Sequence, residues 1–468
     1  MTKRLFSLFF ASMPRFSVRQ GHDGPRRRWF PLRLLPLLPL VLYGCAFTSS
    51  GKSPEGDFVA FDAVVPAETT DVSSSGFAGS WTLDRLIGAS ITTNPRVLGS
   101  LAGYRAAESQ ADAAWARYLP VPYVDMQYDA RDGDRVGVFG VRQPLWSGGK
   151  LAGGLRTARS IARASKLSVR ETQVSTALDV VNRYQTILRH HARIGAHTKG
   201  VSLMERYTSM MERRKASGVS SAMEISLVTS RLLQERSDLS MARAGLRTEL
   251  DHLSRLVGRK LSRKDLALAD DRGMAPPPDL DSLRDRTARR NPTLARASAS
   301  IDIARYQHSK EIANLLPTVM LQAQHQNDLS DGDVDNAVYV TMEYEFGGGV
   351  AALGTISSAR SGIEGARQNE ESVRRDLEAM LYEEHESCRV AMARYALSRD
   401  ETLYSQAVLD SYTRLFVAGK VSWLDLLNSA RELIQNEVAT GDLLASYWGS
   451  LYRLRLYSGD PALLGGEI

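Results

Sequence analysis

Two sets of residues have types and spacing that suit metal binding, and both are incomplete. His190 and His197 are seven residues apart and can share one helix face, but no acidic or cysteine partner completes a metal set. Asp331, Asp333 and Asp335 alternate as calcium ligands do, but they lack the glycine placement and closing glutamate of an EF-hand loop. We therefore expect no metal, and packing or surface roles for the histidines.

The remaining chemistry-bearing residue types do not predict an enzyme. The glycine-rich segments 147–154 and 347–349 precede helices, but they lack the spacing of a nucleotide-binding loop. No serine, cysteine or lysine is paired with a recognisable general base, so we expect no catalytic residue and no cofactor. The net charge of +6 comes partly from basic residues in the first 33 positions, which argues against nucleic-acid binding.

The N-terminal segment predicts export. Basic residues up to Arg33 precede Leu34–Leu42, an apolar run of about 9 residues that is too short to span a membrane. We interpret residues 1–44 as a signal peptide and residues 45–79, rich in Ser, Thr and Gly, as a flexible tether. Leu42-Tyr43-Gly44-Cys45 resembles the bacterial lipobox, although Tyr43 departs from it, and predicts a lipid on Cys45. A plain signal peptide cleaved nearby is the alternative.

The rest of the chain contains a tandem duplication. Asn94-Pro95 recurs 197 residues later as Asn291-Pro292, and Gly218 recurs 201 residues later as Gly419. Two further motifs recur between these landmarks in the same order: Leu119-Pro120 as Leu316-Pro317, and Gly148-Gly149 as Gly348-Gly349. We therefore predict two structural repeats, residues 80–270 and 271–468, each with a helix, two strands, a very long helix, a turn and a long helix.

Four short strands, two per repeat, are expected to have one apolar and one polar face. The apolar face includes Val124, Met126, Tyr128, Val338, Val340, Met342 and Tyr344. The polar face includes Asp125, Gln127, Asp129, Gln322, Gln324, Thr341, Glu343 and Glu345. Strands of about 10 residues with this alternation are typical of outer-membrane barrels. In such a barrel, the polar face would make the lumen acidic. A soluble sheet packed on a helix has the same pattern and is the alternative. Because four strands cannot close a barrel, several chains would have to share one.

Two proline-free segments predict helices too long for a globular domain. Residues 149–217 would extend about 100 Å, and residues 349–418 are equally long. Apolar residues recur every seven positions, as at Val174 and Val181, and Cys388 falls on such a stripe as a small core residue. Gly218 and Gly419 follow these segments, so each repeat should form an antiparallel helical hairpin.

The residues that connect strand to helix resemble a known family. In Gln143-Pro144-Leu145-Trp146-Ser147-Gly148-Gly149-Lys150, Pro144 is expected to end the strand ladder, and Gly148 and Gly149 to let the chain turn into the helix. Gly348 and Gly349 keep part of this motif in the second repeat. The junction resembles that of TolC family outer-membrane channels, and Ser422–Asn428 resembles the family's second hairpin tip. The resemblance covers about residues 80–460.

The resemblance implies a mainly α protomer with a small β part. Three copies would form a homotrimer in the outer-membrane lipid, with a 12-stranded β-barrel and a 12-helix tunnel across the periplasm. A periplasmic adaptor and an inner-membrane transporter, ABC or proton-driven, would complete the machine. Asp425 matches an aspartate at the closed periplasmic mouth, and Asn428 falls where many members have a second one. The implied adaptor-docking residues at the tips are Gly218, Val219, Ser220, Gly419, Lys420 and Val421.

Three functions follow from these patterns. The tip residues Ser422–Asn428 and Arg431–Leu433 look closer to members that serve type I protein secretion, which is the preferred function. Small-molecule efflux by a channel of the same family is the alternative within that class. A periplasmic coiled-coil structural lipoprotein without a pore is the alternative of another class.

Overall fold

The computed structural model describes residues 80–128, 135–328, 334–344 and 349–464. Several predicted features lie outside this part of the chain. They are the signal peptide 1–44, the tether 45–79 with Cys45, and the residues Asp129, Asp331, Asp333, Glu345 and Gly348.

Each repeat begins with two helices that are separated at an Asn-Pro pair. Helices α1 (Leu83–Thr93) and α2 (Pro95–Ala116) correspond to α5 (Leu280–Arg290) and α6 (Pro292–Ala313). Asn94 Oδ1 accepts the backbone N–H of Arg96 at 2.9 Å, and Asn291 Oδ1 accepts that of Thr293 at 2.9 Å. Asparagine caps the new helix while proline occupies its first position, where no N–H partner is needed. One predicted helix per repeat is therefore two helices.

A long helical hairpin completes each repeat, as predicted. The four helices are α3 (Lys150–Ala216), α4 (Ala222–Val257), α7 (Gly349–Val417) and α8 (Trp423–Tyr457), followed by the short α9 (Pro461–Leu464). Helices α3 and α7 contain 67 and 69 residues, about 100 Å each. Gly218 (φ 74°) and Gly419 (φ 70°) adopt the left-handed conformation after α3 and α7. The predicted tandem repeat of long hairpins is confirmed.

The seven-residue stripes form the seams between helices. Val174, Val181 and Leu188 of α3 are buried, and so are Leu381 and Leu409 of α7. Cys388 is fully buried in the same stripe, and burial raises the pKa of its thiol to about 12. Its predicted role as a small core residue is confirmed.

The histidines pack between elements that are distant in sequence. His197 Nδ1 lies 2.9 Å from Glu235 Oε2 of α4, an acidic partner that the local sequence does not reveal. The ring of His190 fills the space left by Gly245. Within 80–128, 135–328, 334–344 and 349–464, no group of three or more His, Cys, Asp or Glu side chains is placed to hold a metal ion.

The four strands form one antiparallel sheet in the order β1-β2-β3-β4. They are β1 (Val121–Tyr128), β2 (Arg135–Trp146), β3 (Thr318–Asp328) and β4 (Val334–Glu343). Strand β2 of the first repeat pairs with β3 of the second, so the sheet joins the two repeats. In the part of the chain that the structure describes, no helix has both the length and the hydropathy needed to cross a membrane.

Candidate functional site

The sheet separates apolar from polar side chains as the sequence predicts. Directly opposed residues of an antiparallel pair lie on the same face, so the register connects Asp125 through Val138 and Gln326 to Asp335. The polar face contains Asp125, Gln127, Gln322, Gln324, Thr341 and Glu343. The opposite face contains Val124, Met126, Tyr128, Phe139, Val338, Val340 and Met342, which are 54–76% exposed. A band of exposed apolar side chains this continuous needs a partner or a lipid environment.

A polar network crosses the polar face from strand to strand. The hydroxyl of Tyr339 lies 2.8 Å from Oε1 of Gln324 and 3.1 Å from Oε1 of Gln322. Gln322 Nε2 donates to Thr341 Oγ1 at 3.2 Å. The hydroxyl of Tyr123 lies 3.4 Å from Gln324 Oε1, which links the two repeats. These side chains hold each other in place while remaining accessible to solutes.

Arg142 also lies on the polar face, although sequence reasoning did not select it. Its guanidinium carbon is 4.0 Å from the centroid of the Tyr123 ring, a cation–π contact. Gly140 lies beneath that ring, and a Cβ there would come within 2.5 Å of it. In the sequence, the apolar Val141 next to Arg142 indicates that the two lie on opposite faces. Gly137 and Gly140 interrupt the alternation of apolar and polar residues in β2 and weaken that indication.

The strand–helix junction differs from the prediction at Pro144. Pro144 pairs with Met320, and β2 continues to Trp146 after a register shift, so Pro144 does not end the ladder. The ladder tolerates proline here because the shift moves the pairing by one residue. Gly148 (φ 61°) and Gly149 (φ 96°) then turn the chain into α3, as predicted. A Cβ on Gly148 would clash with Leu316.

A serine caps the second helix of each hairpin. Ser221 and Glu224 form a reciprocal capping box at the start of α4. At the start of α8, Ser422 Oγ accepts the backbone N–H of Asp425, and its hydroxyl lies 2.6 Å from Asp425 Oδ2. Asp425 and Asn428 are both exposed, one helical turn apart. Of the predicted docking residues, Ser220 and Val421 are half-buried and the others are exposed: Gly218, Val219, Gly419 and Lys420.

An aromatic cluster packs the second tip against α3 of the first hairpin. The ring of Trp423 is buried, 5.6 Å from that of Tyr207 and 5.3 Å from that of Phe416. Arg214 of the first tip stacks over Phe416 at 4.7 Å. Sequence reasoning used Trp423 only as part of a tip motif and missed this packing, which ties the two hairpins together.

A family model described as outer membrane efflux protein matches residues 86–259 and 283–460, one segment in each repeat. The chain belongs to the outer membrane efflux protein family. Members of this family are passive channels of the outer membrane, so the chain is a channel and not an enzyme. The alternative of a structural lipoprotein without a pore is set aside. No curated protein matches the sequence.

Solved outer-membrane channels share the fold of this efflux-family chain. VceC from Vibrio cholerae is 16% identical with a TM-score of 0.69, over 82% of this chain and 96% of VceC. The CmeC channel of Campylobacter jejuni is 12% identical with a TM-score of 0.69, over 81% of this chain and 85% of CmeC. A membrane protein from Pseudomonas aeruginosa is 15% identical with a TM-score of 0.71, over 81% and 90%. At these identities the similarity shows the fold alone.

Proposed function

We propose that three copies of this chain assemble into one export duct, with a 12-stranded barrel in the outer membrane and a 12-helix tunnel in the periplasm. The observation that carries this proposal is the open sheet. Strands β1 and β4 are its two edges, and its apolar face is exposed along all four strands. Unpaired strand edges are not tolerated in lipid, so neighbouring copies must pair β4 with β1.

The two repeats, residues 80–270 and 271–468, each contribute two strands and one helical hairpin to this assembly. In the trimer, the apolar face meets lipid, and Asp125, Gln127, Thr341 and Glu343 face the lumen. Long helices that bury only narrow seams within one chain support lateral packing between copies. Residues 1–44 direct export, and Cys45 anchors the tether 45–79 to the membrane through its lipid. A Cys45→Ser protein that still incorporates labelled palmitate would refute the lipid site.

The exported substrate is proposed to be protein, through a type I secretion system. The tip segment Ser422–Asn428 and Arg431–Leu433 support this choice through their resemblance to secretion members of the family. The duct would work with a periplasmic adaptor that contacts the tips and an inner-membrane ABC transporter. Small-molecule efflux with a proton-driven transporter is the second candidate, because the matching family is described as efflux proteins. Finding the gene beside an ABC transporter and adaptor, rather than beside a proton antiporter, distinguishes the two.

The channel assembly is tested by reconstitution in planar lipid bilayers. Purified protein should form trimers, and only the trimer fraction should conduct ions. Val340 and Thr341 are adjacent but lie on opposite sheet faces, so they provide a matched pair. Val340→Lys should prevent insertion, because a lysine facing lipid costs about 2–4 kcal/mol per site. Thr341→Lys should insert and conduct. A monomer without conductance, or equal insertion of the two variants, would contradict the proposal.

A further inference from the structure

Arg142 is the one basic side chain on the polar face among the strand residues that the structure describes. Its direct cross-strand neighbours are Val121 and Gln322. The next residues on the same face of β2 are Gly140 and Pro144. None of these neighbours is a carboxylate, so the charge of Arg142 is not neutralised by the side chains beside it.

The position of Arg142 along the sheet is also specific. The register places the row containing Arg142, Gln322 and Tyr339 between two acidic rows. Glu343 lies on the side toward the helices, and Asp125 lies on the side toward the strand tips. The sheet does not need the positive charge of Arg142 for its stability. The backbone of β2 pairs with β1 at Val121 and with β3 at Gln322, so the ladder holds the strand from both neighbours.

The contacts of Arg142 hold its guanidinium plane while leaving its N–H groups accessible. One face of the guanidinium lies against the Tyr123 ring at 4.0 Å. Gly140 leaves room for the ring to lie across β2, and Gln324 lies 3.4 Å from the Tyr123 hydroxyl on the far side. Arg142 itself is exposed. An oriented guanidinium with free N–H groups is the group that binds carboxylate and phosphate oxygens in pairs.

We propose that Arg142, oriented by Tyr123 over Gly140, forms an anion-recognition site in the channel lumen. Its ligands are carboxylate or phosphate groups of molecules that pass through the pore. The inference rests on the trimeric channel proposed above, in which three such sites form a cationic ring between acidic rings. The ring lowers the cation preference of an otherwise acidic barrel and gives anionic groups an intermediate binding position.

Ion selectivity in planar bilayers tests the charge of the site. Arg142→Gln should raise the K⁺ to Cl⁻ permeability ratio about threefold, because three uncompensated charges on the wall of the lumen are removed. Asp125→Asn, on the same face, should lower that ratio. Arg272→Gln, in the segment between α4 and α5, should leave it unchanged.

Block by inorganic phosphate tests recognition of the anion itself. Millimolar phosphate should reduce the single-channel current of the wild-type protein, and Arg142→Gln should abolish this block. Arg142→Lys keeps the charge but loses the planar fork, so it should retain the wild-type permeability ratio and show weaker block.

The possible failures are distinguishable. In one outcome, the wild type and Arg142→Gln both form trimer channels with the same permeability ratio and the same phosphate block. That result would overturn the anion site and leave the channel proposal standing. Wild-type protein without trimer-dependent conductance would overturn both. If Arg142→Gln does not assemble, the phosphate measurement on the wild type decides. Wild-type channels whose current is unchanged by phosphate would overturn the anion site.

Discussion

At the scale of single residues, glycines have unequal roles in this chain. Gly148 adopts a left-handed conformation against Leu316, at the point where the sheet turns into α3. Gly154 lies inside α3, and no atom would lie within 4 Å of a Cβ added there. The same residue type is therefore required at the first position and only tolerated at the second.

The two glycines provide a matched stability test. Gly148→Ala should lower the free energy of unfolding by about 2–4 kcal/mol, because it combines a left-handed alanine with a steric clash. Gly154→Ala should leave it unchanged or raise it by up to about 1 kcal/mol, since alanine favours helix. Thermal unfolding followed by circular dichroism compares the two variants with the wild type. Equal midpoints for all three proteins would show that the junction does not need glycine.

At the scale of elements, the two hairpins share a plan and differ at their tips. Both α4 and α8 begin with a serine whose side chain accepts the backbone N–H three residues later. Trp423 follows the serine in the second repeat, whereas Ala222 follows it in the first. Only the tryptophan reaches across to Tyr207 of α3. The second tip therefore anchors both hairpins at the end remote from the sheet.

Removing Trp423 should loosen this end of the molecule selectively. Trp423 is 5% exposed and Leu424 is 56% exposed, so the adjacent leucine is the control. Trp423→Ala should cost about 3–5 kcal/mol of local stability, and Leu424→Ala should cost little. Hydrogen exchange at 200–235 and 405–435 measures this loss directly. Exchange that increases equally in both variants would contradict the anchoring role.

At the scale of the whole molecule, the proposed trimer changes the role of Asp425. In one chain its carboxylate lies beside Ser422 at the start of α8 and is exposed. In the trimer, three copies would form a ring of like charges at the periplasmic mouth, with Asn428 one turn further along. Such a ring requires cations or hydrogen bonds to offset the repulsion. In that ring, Asn428 would make the mouth less acidic than a mouth with two aspartates per chain.

The proposed gate role of Asp425 is tested by comparison with Glu224, its counterpart at the first tip. Asp425→Ala should raise the resting conductance in bilayers and weaken block by divalent cations. Glu224→Ala removes the carboxylate that accepts the Ser221 backbone N–H at the start of α4, whereas Asp425→Ala removes the one that accepts the Ser422 hydroxyl. Each loss should cost about 1 kcal/mol of helix stability. Glu224→Ala should leave gating unchanged. Equal effects of the two substitutions would mean that Asp425 acts as a helix cap and not as a gate.

The sequence by itself determined the tandem repeat, the long hairpins with their glycine turns, the burial of Cys388 and the two faces of the strands. These features depend on periodicity and turn chemistry between near neighbours, which one chain segment encodes. The tertiary structure alone decided that β2 pairs with β3 and that Trp423 packs on Tyr207. It also placed Arg142 and Tyr123 on one face with Gln324, which is 201 residues from Tyr123. The physical reason is that such contacts depend on the relative placement of whole elements, which local patterns do not specify.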